Sequence, residues 1–382
     1  MIVTHLVLKN WRNFRQVDAT LGDRVFVIGP NASGKSNLLD AFRFLRDIAK
    51  PGGGLQKAIE DRGGLSRIRC LAARRYPDVE VQVTLADSTD KEPSWQYGIG
   101  IAQESRGYRH VKLSFEKVWR NGQLIVNRPD SGDRQDSLRL TQTHLEQIGA
   151  NAQFRDIAKF FESTQYLHLV PQLIKHPEAF AGAGIPGDPF GQSFLERVSK
   201  TQDRTRAARL RKIEKALQVA VPQLKGLAYT KDEMGVPHLE VIYDHWRPYG
   251  AKQREDQFSD GTLRLLGLFW SLLDGESLLL LEEPELSLNA GIVEKLPSII
   301  HRLQKQRKRQ VIVSTHSADL LSDKGIGGEE VLILTPNQEG TAVELASKNK
   351  EVRGLLEAGL SVRDAALPKV VPTGIQQLEL FR

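Results

Sequence analysis

The sequence predicts an α/β chain: a core sheet built around a strand–glycine loop–helix unit, an antiparallel β portion and a helical insertion. Three observations carry that prediction. "RVFVIG" leads into "GPNASGKSNLLDAFRFL", a β-branched run that turns through glycine into an amphipathic helix. Residues 79 to 126 switch to a period of two. The runs "SLLLLEE" and "QVIVST" are short and continuously apolar, as strands buried on both faces are.

In chain order, "MIVTHLVLKNWRNF" alternates at Ile2, Leu6 and Leu8, which predicts an opening strand. After "RVFVIG", Leu38, Leu39, Phe42 and Leu45 share one helical face, and Pro51 with three glycines ends that helix. Val79, Val81, Val83 and Leu85, then Tyr97, Ile99 and Ile101, then Val111, Leu113 and Phe115 alternate with polar residues. Asn121-Gly122 in "VWRNGQLIV" is the preferred two-residue hairpin turn. From about 141 to 224 the pattern reads helical and irregular, with a Gly/Pro-rich loop at "AGAGIPGDPFG". "HLEVIY" returns to strand, a helix begins near 262, and the leucine strand, another helix and "QVIVST" follow. The expected division is 1–140 and 225–345 for two parts of one head, 141–224 for the insertion, and 346–382 for an extension and tail. No internal repeat and no sustained heptad run is present.

The 382 residues suffice for one large domain or two ordinary ones. No apolar run reaches the ~18 residues of a membrane span, and the N-terminus lacks a signal-peptide core, so no membrane partner is expected. A single cysteine, Cys70, excludes a disulfide framework and predicts a cytoplasmic location. The net charge of +6 permits a nucleic-acid partner without requiring one.

The chemistry concentrates in "GPNASGKS", Gly29 to Ser36, which matches G-x-x-x-x-G-K-[ST] between a predicted strand and a predicted helix. There Gly29, Pro30, Asn31, Ala32, Ser33, Gly34, Lys35, Ser36 and Asn37 would wrap the phosphates of ATP with backbone N–H groups and the helix dipole. Lys35 would reach the β- and γ-phosphates, and Ser36 would ligate Mg²⁺. Two adjacent carboxylates, Glu282 and Glu283, end the leucine strand, and carboxylates beside an apolar run need a charge partner or a task. A divalent cation and Lys35 meet that need, with Glu282 on the metal side and Glu283 as general base on water.

The order of "GPNASGKS", "FSDGT", "LLLLEEPELSLN" and "VIVSTHS" resembles the ATP-binding-cassette (ABC) ATPases, and the opening "LVLKNWRNF" is most similar to the RecF/SMC/OLD-like branch. The resemblance implies an ABC-ATPase head whose signature motif, here Ser259, Asp260, Gly261 and Thr262, caps nucleotide held by a twin subunit. A hydroxyl and an N–H at a helix start suit such a γ-phosphate sensor. It also implies that His316 is the switch histidine, that Asn289 lies in a D-loop crossing the dimer interface, and that Arg12 contacts phosphate. Surface solvation is the alternative for Arg12. The sequence departs from the common pattern in Glu282, where aspartate is more frequent, and in "SDG" for "SGG". Gln82, Gln96 and Gln103 all remain candidates for the Q-loop glutamine.

Segment 194–216 reads as a basic helix, and Arg204, Arg206, Arg209, Arg211 and Lys212 would suit a DNA backbone, with a plain solvated face as the equal alternative. "HRLQKQRKRQ", 301–310, reads as a solvated helix end. In the final residues, Gln377, Leu378, Leu380 and Phe381 fall in "QLELF", which resembles the peptide that binds the bacterial sliding clamp; packing on its own domain is the alternative. The function so implied is a homodimeric, Mg²⁺-dependent ATPase acting on DNA or with a partner effector, in DNA repair or phage defence. The rival is a nucleotide-gated scaffold that assembles with a Toprim-type nuclease or other toxic partner and turns over little.

Overall fold

A computed structural model describes residues 1–73, 78–104, 110–177, 188, 190–244 and 251–371. The clamp-like tail containing Gln377, Leu378, Leu380 and Phe381 lies outside these residues.

The strands, in chain order, are β1 (Ile2–Trp11), β2 (Phe14–Thr20), β3 (Arg24–Ile28), β4 (Val79–Ala86), β5 (Trp95–Gln103), β6 (Val111–Arg120), β7 (Gln123–Arg128) and β8 (Gln165–Leu167). There follow β9 (Leu224–Lys231), β10 (Pro237–Tyr243), β11 (Ala251–Arg254), β12 (Leu279–Glu282), β13 (Val311–Ser314), β14 (Val331–Asn337) and β15 (Gly340–Leu345).

They form three sheets. The core sheet has the order β15-β14-β3-β13-β12-β8, and every pair in it is parallel except β14–β15. An antiparallel sheet, β2-β1-β4-β5-β6-β7, covers one side, and a three-stranded sheet, β11-β10-β9, belongs to the other. The predicted α/β head with an antiparallel portion is therefore what this sequence adopts.

Alternation explains why the core strands read as unbroken apolar runs. Val25 and Val27 of β3, with Leu280 of β12, face the cluster that contains helix Lys35–Ala49 and the antiparallel sheet. Phe26 and Ile28, with Leu279 and Leu281, face the cluster around helix Asp260–Leu273. A strand covered by helices on both faces must be apolar at every position. Trp11 stacks on Phe44 at 5.2 Å between ring centres, pinning the glycine-loop helix to β1. At the β6–β7 turn Asn121 and Gly122 take φ values of 48° and 78°, the left-handed pair a two-residue hairpin requires.

Four differences from the sequence reading have local causes. The segment 141–224 contains β8, which completes the core sheet beside β12, so the middle of the chain is partly head rather than wholly insertion. At three residues β8 is too short to show a period. The basic segment is two helices, Phe194–Lys200 and Asp203–Ala220, broken at Thr201 and Gln202. Arg309 and Gln310, expected on a solvated helix end, are buried at 2% and 1% exposure. Arg309 donates to the Ser271 carbonyl and to Gln165 Oε1, while Gln310 Oε1 accepts from Val3 N–H. Finally, helices Lys350–Glu357 and Val362–Ala366 pack Val352, Val362 and Ala365 into the second core, so the extension as far as Val370 belongs to the folded body.

Candidate active site

The parallel strands β3, β12 and β13 all end at one edge of the sheet, where open α/β sheets place their ligands. The registers Ser314↔Val27 and Glu282↔Ser314 align the three ends in a row. Lys35, Ser36, Glu282, Glu283 and His316 lie at or just after the ends of that row.

The loop Gly29–Ser36 leaves β3 and enters helix Lys35–Ala49. Gly34 has φ 95°, and a Cβ there would meet the Asn13 side chain at 2.2 Å, so only glycine fits. Asn13 explains the close approach: its Nδ2 donates to the Ser33 carbonyl (2.7 Å) and to Thr341 Oγ1 (2.7 Å), and its Oδ1 accepts from Asn37 (2.8 Å). It clamps the loop between the β1–β2 turn and the start of β15. The Lys35 ammonium, 7% exposed, donates to the carbonyls of Gly29 (3.0 Å) and Pro30 (3.3 Å). Burial pushes its pKa down, and Glu283, Glu282 and Glu285 oppose that shift.

Glu282 is held from both sides. The Ser36 hydroxyl donates to Oε1 and the Tyr166 hydroxyl to Oε2. Burial and the adjacent Glu282 carboxylate raise the Tyr166 pKa, which keeps the phenol a donor. His168, two residues on, places Nδ1 3.3 Å from the Glu282 carbonyl oxygen. Arg43, on the glycine-loop helix, lies 4.2 Å over the Tyr166 ring. β8 and the residue that follows it thus carry two side chains that hold Glu282.

Glu283 N–H still continues the sheet ladder to the Ser314 carbonyl at 2.9 Å, but its φ of 45° is a left-handed backbone. A non-glycine residue in that region costs on the order of 1–3 kcal/mol and is characteristic of functional sites. The turn brings Oε1 to 3.0 Å from His316 Nδ1. Two residues further, Glu285 is 7% exposed and accepts from the Thr315 hydroxyl. Burial raises its pKa, against that hydrogen bond. Arg264, on helix Asp260–Leu273, is in electrostatic reach of Asp260, Glu283 and Glu285.

Ser259 caps helix Asp260–Leu273, with Oγ accepting from Thr262 N–H at 3.1 Å. Asp260 pairs with Lys175 (2.7 Å) and Gln172 (2.9 Å), and the Lys175 bond lowers its pKa. Gly261 packs so closely on the loop after β12 that a Cβ would meet the Ser287 carbonyl at 2.9 Å. Asn289 caps the next short helix through Gly291 N–H at 3.0 Å. Among the described residues no hydrogen bond or ion pair joins Ser259–Thr262 to Gly29–Asn37 within one chain. The structure therefore brings together Lys35, Ser36, Glu282, Glu283 and His316, and gives Ser259, Asp260, Gly261 and Asn289 no hydrogen bond to the glycine loop.

Arg12 has φ 53° and donates to Asp40 (2.9 Å) and the Arg67 carbonyl (3.3 Å). Burial would raise the Asp40 pKa, but Arg62, Arg43 and Arg12 hold it below the ordinary carboxylate value. Of the basic helix, Arg206 lies over Tyr229 and bonds the Ser199 and Thr201 carbonyls, and Arg209 pairs with Asp274 at 2.8 Å. Arg204, Arg211 and Lys212 are exposed. Gln82, Gln96 and Gln103 all lie on the antiparallel sheet, and none is on a strand of the core sheet.

The residues missed from sequence are Asn13, Tyr166, His168, Arg264 and Glu285. Asn13 and Glu285 sit inside the motifs "NWRNF" and "EEPELSLN" and are legible there; Tyr166 and His168 are hidden by the brevity of β8.

The family model described as "AAA domain, putative AbiEii toxin, Type IV TA system" matches residues 24–323. The "DNA replication and repair protein RecF" of Roseiflexus castenholzii is 32% identical over 101 residues, which cover 24% of this chain and 26% of that protein. The match thus spans about a quarter of the relative's length. Among solved structures, an SMC head bound to the C-winged helix domain of ScpA aligns with TM-score 0.57 at 14% identity, covering 90% of this chain and 98% of that one. An SMC head with an extended coiled coil, bound to the C-terminal domain of ScpA derived from Pyrococcus furiosus, aligns with TM-score 0.52 at 13% identity, covering 94% and 99%. At these identities the likeness establishes the ABC-ATPase head fold. By the match over residues 24–323 the chain belongs to the AAA-domain family so described, on the fold of an ABC-ATPase head.

Proposed function

We propose that this chain binds ATP with magnesium in the pocket at the strand ends, hydrolyses it, and requires a second copy to complete the pocket. The observation that carries the reading is the convergence of Ser36, Tyr166 and His316 on two adjacent carboxylates beside a glycine loop. Magnesium fits the donor set, because Ser36 Oγ and a Glu282 oxygen are hard donors already in mutual contact, and phosphate and water supply the rest in such sites. When bound, it would neutralise charge on the phosphates.

The chain's own groups supply the other steps. Lys35 exchanges its two loop carbonyls for phosphate oxygens. Tyr166 fixes the rotamer of Glu282. Glu283, held by His316, accepts the proton of the attacking water. Ser259 is exposed at a helix start yet joined to nothing in its own glycine loop, as a group serving another copy's phosphate would be. The test is Glu283→Gln. Turnover should fall roughly 10²–10⁴-fold, with affinity for a fluorescent ATP analogue retained and ATP-bound dimers longer lived. Parental turnover in that variant refutes the base assignment.

The DNA relation of the RecF relative supports action on DNA, with Arg204, Arg211 and Lys212 as the available cations. The toxin–antitoxin wording of the family supports a second reading, a nucleotide-gated scaffold for a toxic or nucleolytic partner in phage defence. Turnover that rises with duplex DNA favours the first; ATP-locked complexes with negligible turnover favour the second.

A further inference from the structure

A groove of about 790 Å³, with Asn289 among its lining residues, opens between helices Asp203–Ala220, Asp260–Leu273 and Leu296–Arg307. Leu265 and Phe269 form its buried floor, and Ala216, Ile292, Ile299 and Leu303 line the walls. Val219 stands at the mouth, 85% exposed. Partly solvated apolar side chains are thus gathered in one concavity instead of being scattered over the surface. The rim is cationic: Lys212, Lys295 and Arg302 are exposed, and no carboxylate lines the groove. Among the described residues none of these three cations has an ion-pair partner.

The combination discriminates between occupants. A nucleic-acid backbone would use the rim but would set phosphates against an apolar floor. A second copy placed symmetrically would bring the three cations against themselves, since an isologous contact opposes a patch with its own image. A lipid surface is flat and does not fill a trough. An amphipathic helix satisfies every wall: an apolar stripe at i, i+4 and i+7 for the floor, and flanking carboxylates for Lys212, Lys295 and Arg302. The two long walls are themselves helices, so a third can seat its ridges between them.

We propose that this groove docks an amphipathic helix of a partner protein, with an apolar face and acidic flanks. The occupant would lie on the same rod, Asp260–Leu273, whose first turn carries the Ser259 cap, although docking itself requires no nucleotide.

The test uses the full chain and a fluorescein-labelled peptide of about 18 residues, roughly 27 Å as a helix, with leucines at helical spacing and glutamates on both flanks. A matched peptide carries lysines for the glutamates. Anisotropy should report saturable one-to-one binding of the acidic peptide only, weakening with salt. Val219→Asp and the double variant Lys295→Glu/Arg302→Glu should each weaken it at least about tenfold while keeping the parental melting temperature. Three results overturn the proposal: no saturable binding, equal binding of the lysine peptide, or affinity unchanged in both variants. Nucleotide-independent doubling of the molecular mass that Val219→Asp abolishes would assign the groove to a second copy instead. Displacement of the peptide by duplex DNA, lost in the double variant, would assign it to nucleic acid.

Discussion

Tyr166 shows how much of this site depends on a single hydroxyl. It donates to Glu282 Oε2 while Ser36 donates to Oε1, so the carboxylate is fixed from both ends. Tyr166→Phe removes one bond and leaves the packing on Arg43 and the core. Groups that orient a metal-side ligand are typically worth 10–100-fold, so turnover should fall at least about tenfold with a raised magnesium requirement and an unchanged fold. Magnesium titration of ATPase activity checks it, and an unaltered titration would remove Tyr166 from the site. Glu285 adds a pH dependence at the same scale. Its pKa is raised on folding by burial, so the folded state binds its proton more tightly than the unfolded state does. Its contribution therefore becomes unfavourable as pH rises above the unfolded value of 4.5. Glu285→Gln should then gain stability relative to the parent at pH 8 compared with pH 4.5, read from urea midpoints; a gap independent of pH would contradict this.

At the scale of elements, β6, β7 and the short helix Ser131–Gln135 after them are tied by a buried ionic cluster. Arg128 bonds Glu116 and Asp133 at 2.9 Å each, with all three side chains at 1% exposure or less. The Arg128 hydrogen bonds lower the Asp133 pKa to about 2. A carboxylate depressed on folding stabilises above its unfolded pKa of 3.8 and loses that contribution as pH falls through about 2. Asp133→Asn strips a partner from a buried guanidinium, which costs about 3 kcal/mol or more, and the gap to the parent should close between pH 4 and pH 2. Equal urea midpoints at pH 7 would refute the clamp. Elements also decide what sequence can reveal. β3, β12 and β13 are legible because both faces of each are covered, and that burial demands an apolar residue at every position. β8 is not, because three residues carry no period, and with it go Tyr166 and His168. Arg309 and Gln310 read as solvent-facing because composition cannot tell that a guanidinium will find the Ser271 carbonyl and Gln165 inside. Burial there pushes the Arg309 pKa down to about 10.

The whole molecule carries a glycine loop with its acidic strand end, and a capped helix start that, among the described residues, makes no hydrogen bond or ion pair to that loop. Among the described residues no helix is long and apolar enough to cross a membrane. Completion by a twin subunit is the claim on which the proposed activity stands, and complementation between two inactive variants tests it. Lys35→Ala disables the glycine loop. Ser259→Asp keeps a good helix cap, so stability should be unchanged, but sets a negative charge where a twin's phosphate would lie. Each variant alone should be inactive. In an equal mixture half the dimers would be mixed, each with one intact pocket, so phosphate release should return to about a quarter of the parental rate. A mixture as inactive as its parts, or a parental protein that hydrolyses ATP at full rate as a monomer, would contradict the account.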